Sequence, residues 1–210
     1  MIIGVTGLIG SGKDTIADYL TTHKGYKRLS FAASLKDAVG AVFGWDRELL
    51  EGSTKTSREW REQRDDWWSE RLGLEITPRW VLQYWGTDVL RNHFHKDIWV
   101  ASVENKLVKS KDDIVITDCR FVNEVHAIKR VGGITVRVER GEKPDWYDAA
   151  VSYNKGPDGN ATWSLSKAHL SNANIHASEF SSVGLPYDHT LKNNGSIDDL
   201  HKQIELIINR

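Results

Sequence analysis

Apolar positions along this chain alternate between short continuous runs and helical spacing. Residues 1–6, MIIGVT, form an apolar, β-branched run suited to a buried parallel strand, and a glycine-rich turn follows at once. Across 14–22, Ile16, Ala17 and Leu20 recur at helical spacing. Ser34 and Asp37 read as the capping pair of a second helix that aligns Leu35, Ala38, Val39 and Val42 and stops at Gly44. Thr77-Pro78 predicts a cap and first turn for a helix running to about residue 92, and Trp99, Val103 and Leu107 align a further helix over 98–108.

The second half repeats the alternation. DIVIT, 113–117, is another buried-strand run and ends at Asp118; Asn123 then reads as the cap of a helix through Val131, stopped by Gly132-Gly133. Residues 134–139 and 189–192 predict two more strands. After an NNGS turn, Ser196 and Asp199 cap a last helix facing inward through Leu200, Ile204, Ile207 and Ile208. The order predicts an α/β fold: a parallel sheet flanked by helices, with ligands at the carboxyl ends of the strands.

Two stretches break the pattern. Residues 45–76 turn to charge and tryptophan, with Arg47, Arg58, Arg61, Arg64 and Arg71, and read as an insertion on the core. Residues 140–186 are polar, with a weak helical signal near 164–170, and suit a lid. The expected organisation is therefore one domain, with core segments 1–44, 77–139 and 187–210.

Composition narrows the function classes. Formal net charge is −1, so no basic face for nucleic acid is expected. A single cysteine, Cys119, cannot form an intramolecular disulfide, and no apolar run reaches membrane-spanning length; a cytoplasmic protein that binds neither nucleic acid nor membrane is expected. Of the nine tryptophans, Trp45, Trp60, Trp67, Trp68, Trp80, Trp85 and Trp99 crowd one third of the chain, which suits packing, with one or two able to stack on a base. The histidines lack the spacing of a zinc site.

The chemistry concentrates at two strand ends. GLIGSGK, with Gly7, Gly10, Gly12 and Lys13, has the spacing of a phosphate loop, whose backbone N–H groups wrap a phosphate while the lysine bridges the terminal phosphates. A hydroxyl on magnesium usually follows that lysine; here Asp14 stands there and Thr15 one later. Asp14 either caps the helix start or reaches the metal, directly or through water, and Thr15 is the better phosphate contact. Asp118, after its strand, fits a carboxylate holding magnesium's hydration shell, and Arg120 would point at the same phosphates, a role worth about a thousandfold in rate. Gly86, inside a helix at a cost of about 1 kcal/mol against alanine, marks close approach by a ligand or another helix.

Taken together, GLIGSGKDTIAD, SLKDAV, QYWGTDVLR, ITDCRFVNE and NNGSIDDL resemble, in this order, the bacteriophage-type deoxynucleoside monophosphate kinases. The resemblance implies a phosphate-loop kinase fold with an acceptor-binding insertion and a lid. It implies ATP as donor with Mg2+, a deoxynucleoside monophosphate as acceptor, and the host cytoplasm as location if the gene is carried by a phage; a homodimer is left open. Residues Gly10, Gly12, Lys13, Asp14, Thr15 and Glu124 would then serve ATP. Those serving the acceptor would be Lys36, Arg58, Gly86, Thr87, Trp99, Asp118 and Arg120. Lys13, Arg120, Arg58 and Arg79 would gather the reacting phosphates, and Thr15, Asp14 and Asp118 would attend the metal. His176-Ala-Ser-Glu179 resembles the lid's return segment, with lid closure or ATP contact implied. Phe121 departs from the family's usual polar residue and bears on base preference. Similar loops occur with other acceptors, such as phosphomevalonate and dephospho-coenzyme A, and a non-catalytic nucleotide sensor is the alternative from another class.

Overall fold

The computed structural model describes residues 1–157, 161–173, 175 and 177–209. Their contacts separate into two compact units, one of residues 1–30 and 104–210, the other of residues 31–103.

The first unit holds the sheet. Strands β1 (Ile2–Thr6), β2 (Lys27–Leu29), β3 (Ile114–Ile116), β4 (Ile134–Glu139) and β5 (His189–Lys192) lie all parallel in the order β2-β3-β1-β4-β5. Side chains alternate across a strand, so Ile3 and Val5 face one side and Gly4 the other. On the first side, α1 (Lys13–Lys24) and α12 (Ile197–Ile208) bury Ile16, Leu20, Leu200 and Ile204 against Val136, Val138 and Leu191. On the second, α8 (Val122–Arg130) comes so close that a Cβ at Gly4 would lie 2.8 Å from Ile128 Cγ1. The chain leaves β1 through α1 toward β2, and leaves β3 through α8 toward β4. Those departures to opposite sides make the crevice between the carboxyl ends of β1 and β3 the switch point where such sheets bind ligands.

The polar stretch after β4 is helical. Helices α9 (Tyr147–Asn154), α10 (Ala161–Asn172) and α11 (Ala177–Phe180) enclose an apolar cluster of Tyr147, Ala150, Leu170, Phe180 and Val183, with Leu8 of the glycine loop packed against it. Asn154 Nδ2 ties it by donating to the carbonyls of Phe180 and Val183, at 2.6 and 2.8 Å.

The second unit is wholly helical. It comprises α2 (Ala33–Phe43), α3 (Arg47–Glu51), α4 (Lys55–Glu62), α5 (Asp66–Leu72), α6 (Pro78–Gln83), a π-helix (Tyr84–Phe94) and the start of α7 (Ile98–Lys109). Where the sequence suggested an irregular insertion, three short helices are each fixed at their start by a side chain: Asp46 for α3, Thr54 for α4 and Asp65 for α5. Trp45, Trp60, Trp68, Trp85 and Trp99 join Leu35, Val39, Leu50, Ile76 and Val81 in one core, where Phe43 stacks on Trp45 at 4.4 Å.

Three local expectations are corrected. The single helix predicted from 78 to about 92 is α6 followed by the π-helix, a form rare at this length and frequent near functional sites. Ser34 does not cap α2, whose preceding residue is Ala32; its hydroxyl is 2.8 Å from that of Ser102. Asn123 lies inside α8, whose first turn is held instead by Glu124.

Candidate active site

The loop between β1 and α1 is built on backbone only glycine tolerates. Gly12 adopts φ 106°, and a Cβ there would run into the side-chain amide of Asn193. That amide donates to the Ser11 carbonyl at 2.8 Å, while the Asn193 N–H donates to the Glu139 carbonyl at 2.8 Å. The loop is thus pinned to the ends of β4 and β5 before any phosphate arrives.

Lys13 lies across this loop, its Nζ donating to the carbonyls of Gly7 and Leu8 at 2.8 Å each. Burial, and then the guanidinium of Arg120, push the Lys13 ammonium below its ordinary pKa, with Asp14 and Glu179 opposing. Two cations therefore meet at one small cavity, lined by Gly7, Lys13, Cys119, Arg120, Glu179 and Ser182. Arg120 Nη1 lies 3.6 Å from Glu179 Oε1. Burial, ahead of the nearby Asp118 and Glu124, pushes the Cys119 thiol pKa far up, which disfavours a reactive thiolate.

Beside the loop lies a second cavity of about 320 Å³, the size of small-ligand sites, walled by Gly10, Arg140, Lys143, Tyr147, Lys192 and Asn194 among others. Arg140 Nη1 donates to the Gly10 carbonyl at 3.3 Å, and the Gly141 N–H to Asn194 Oδ1 at 2.8 Å. Sequence reasoning assigned no site role to Arg140, Asn193 or Asn194. The available signal was their place at the carboxyl ends of two strands.

Several sequence-assigned residues do something more specific than expected. Asp14 neither caps α1 nor points into the cavity; its exposed carboxylate pairs with Arg28 on β2. The same Arg28 Nη2 donates to Thr117 Oγ1 at 2.9 Å, next to Asp118. Thr15 is half-buried in the first turn of α1, and Asp118 is half-buried after β3. Glu124 is 2% exposed, and its Oε2 accepts from the N–H groups of Arg120 and Phe121, at 2.8 and 3.1 Å. It fixes the turn that presents Arg120. His176 lies outside the described residues.

In the helical unit, Trp99 is 7% exposed in the core and donates its indole N–H to the Gly86 carbonyl at 2.9 Å. A Cβ at Gly86 would lie 2.8 Å from Leu35 Cδ2, so the close approach of that side chain explains the glycine. Thr87 is exposed beside it. Lys36 Nζ lies 2.6 Å from Glu51 Oε1, and Arg79 Nη1 lies 3.2 Å from Glu62 Oε1. Arg58 is exposed on α4, three residues before Arg61, which sequence reasoning did not select. Among the described residues, no three carboxylate, imidazole or thiol groups gather as a metal-holding cluster, and no helix is long and apolar enough to cross a membrane.

A parallel sheet with this strand order, a glycine loop and lysine after β1, and an arginine after β3 define a phosphate-loop phosphotransferase. A family model described as deoxynucleotide monophosphate kinase matches residues 52–152. An Acanthamoeba polyphaga mimivirus protein, named as a candidate deoxynucleotide monophosphate kinase, is 35% identical over 152 residues, covering 67% of this chain and 74% of that one. The deoxynucleoside-5'-monophosphate kinase of Escherichia phage T5 is 26% identical over 174 residues, covering 59% and 70%. Shikimate kinase from Aquifex aeolicus superposes only loosely, with a TM-score of 0.47 at 15% identity over 100% of this chain and 96% of that one. The chain belongs to the deoxynucleotide monophosphate kinase family and is an enzyme of that kind.

Proposed function

We propose that the chain transfers the γ-phosphoryl group of ATP to the 5′-phosphate of a deoxynucleoside monophosphate, yielding ADP and the deoxynucleoside diphosphate. The observation that carries this reading is the pairing of Lys13 and Arg120 at one cavity, on the carboxyl ends of β1 and β3. A desolvated Lys13 ammonium beside the exposed Arg120 guanidinium is an unfavourable pairing without an anion and becomes favourable around a phosphoryl group.

Each residue then has a task. Loop N–H groups from Gly10 to Lys13 wrap the β-phosphate, and Lys13 exchanges the Gly7 and Leu8 carbonyls for phosphate oxygens. Arg120, held in place by Glu124, offsets charge on the moving phosphoryl group. The second cavity takes the nucleoside part of ATP, with Lys143 and Tyr147, 4.6 Å from ammonium to ring, forming part of its wall. Arg58, Arg79, Lys36 and Thr87 serve the acceptor, with Gly86 and Trp99 supporting them. The acceptor oxygen attacks in line and no covalent enzyme intermediate is required.

The oxygen donors at the loop suit magnesium. Thr15 and Asp118 would hold it directly or through water, and Asp14, committed to Arg28, would act from outside. When bound, the metal neutralises charge on the β- and γ-phosphates.

The test is acceptor-dependent ADP release, with ATP and magnesium, against a panel of deoxynucleoside and ribonucleoside monophosphates, dephospho-coenzyme A and phosphomevalonate. Turnover with deoxynucleoside monophosphates above the other acceptors is expected. Turnover confined to either non-nucleotide acceptor, or none at all, overturns the reading.

A further inference from the structure

In the helical unit, Arg61 combines burial with the lack of a carboxylate partner among the described residues. Arg61, on α4, is half-buried, and its Nε is sealed from solvent with no hydrogen-bond partner. Its guanidinium lies against the backbone of Gly52, the left-handed residue at φ 69° that ends α3; a Cβ at Gly52 would collide with the guanidinium carbon and both Nη atoms. The slot thus exists for this side chain, yet no carboxylate among the described residues forms an ion pair with it.

Its surroundings sharpen the imbalance. Burial, and after it the Arg79 guanidinium, with Arg58 adding least, push Arg61 below its ordinary pKa; Glu62 and Glu51 oppose this. Both carboxylates are already committed: Glu62 to Arg79, and Glu51 to Lys36 and Arg47, at 2.6 and 2.7 Å. Arg58 sits one turn from Arg61 on the same helix face. A guanidinium remains charged in a protein, so the unit holds a standing electrostatic cost that a dianion would remove.

We propose that Arg61 binds the acceptor's 5′-phosphate through the Nη end of its fork, as the central member of a clamp with Arg58 and Arg79. Resting on the acceptor reading above, this assigns the clamp's principal contact to a residue that motif matching passed over. The Gly52 backbone fixes the plane of the fork, which suits two phosphate oxygens better than a flexible ammonium would.

The experiment compares the wild type with Arg61→Gln and Arg61→Lys in phosphate-free buffer. The KM for the best deoxynucleoside monophosphate should rise on the order of 10- to 100-fold in Arg61→Gln, as the loss of one charged hydrogen-bonding partner predicts. Arg61→Lys should recover only part, and the KM for ATP should stay within about twofold of wild type. The ligand-free melting temperature of Arg61→Gln should equal or exceed that of wild type, because a residue kept for a ligand costs the empty fold. A lower melting temperature with an unchanged acceptor KM makes Arg61 structural and overturns the proposal.

Titration of inorganic phosphate by calorimetry into Lys13→Ala and Lys13→Ala/Arg61→Gln separates this claim from the acceptor reading. Weaker binding in the double variant supports the anion site even where no deoxynucleotide is phosphorylated, and equal binding refutes it.

Discussion

Asp14 and Arg28 are paired between the first turn of α1 and β2, and Arg28 also bonds Thr117 at the end of β3. The carboxylate that replaces the usual hydroxyl after the loop lysine is therefore engaged with β2. It helps to join α1 to the strand that delivers Asp118 and Arg120. Asp14→Asn should change stability by no more than about 1 kcal/mol, as for exposed ion pairs, and should leave the magnesium concentration for half-maximal rate within about threefold. A much larger magnesium requirement would place the carboxylate on the metal instead.

Lys13→Ala should lower kcat by about a thousandfold or more, since it removes positive charge that develops its full value only around the transferring group. The melting temperature should move by no more than about 4 °C, the shift that roughly 1 kcal/mol produces in a chain of this size. Steady-state kinetics with calorimetric melting separates lost chemistry from lost fold.

Glu124→Ala leaves two N–H groups of a buried turn without their acceptor, and should cost about 1–3 kcal/mol by denaturant unfolding. Because Glu124 acts by holding Arg120, kcat should fall in Glu124→Ala and fall further in Arg120→Ala, with the double variant close to Arg120→Ala alone. Additive losses in that cycle would mean that the two act independently.

Acid sensitivity should trace partly to Glu139. Its pairing with Lys192 holds the carboxyl below the ordinary 4.5, against desolvation and with help from Arg137. A carboxyl depressed in the fold contributes its full stability above its unfolded value and loses it as pH falls through the folded value. Wild type should therefore melt higher than Glu139→Gln at pH 6, with the gap closing below pH 4.5.

What the sequence made legible was whatever has strong period or fixed spacing. β1, β3, β4, the phosphate loop, α1 and α12 carry continuous apolar runs or clean helical faces, and the structure places them as expected. β2 was missed because Lys27-Arg28-Leu29 lies at the sheet edge with two exposed charged residues. Helices α3, α4 and α5 are too short for periodicity to show; α3 buries one leucine, Leu50, and α4 and α5 pack through Trp60 and Trp68 rather than through an aliphatic stripe. Within the site, Lys13 and Arg120 were visible from motif position. Asp14's partner, Glu124's place under the turn and the isolation of Arg61 each depend on residues distant in sequence or on a missing contact, and a motif records neither.

The distribution of indoles has a practical consequence. Trp45, Trp60, Trp67, Trp68, Trp80, Trp85 and Trp99 all belong to the helical unit, whereas Trp146 and Trp163 belong to the sheet-bearing unit. Of the indoles excited at the red edge of protein absorbance, seven of the nine lie in the unit assigned to the acceptor. Spectral drift on adding monophosphate alone, without dye or label, would follow occupancy there in real time, and ATP would leave most of that light undisturbed.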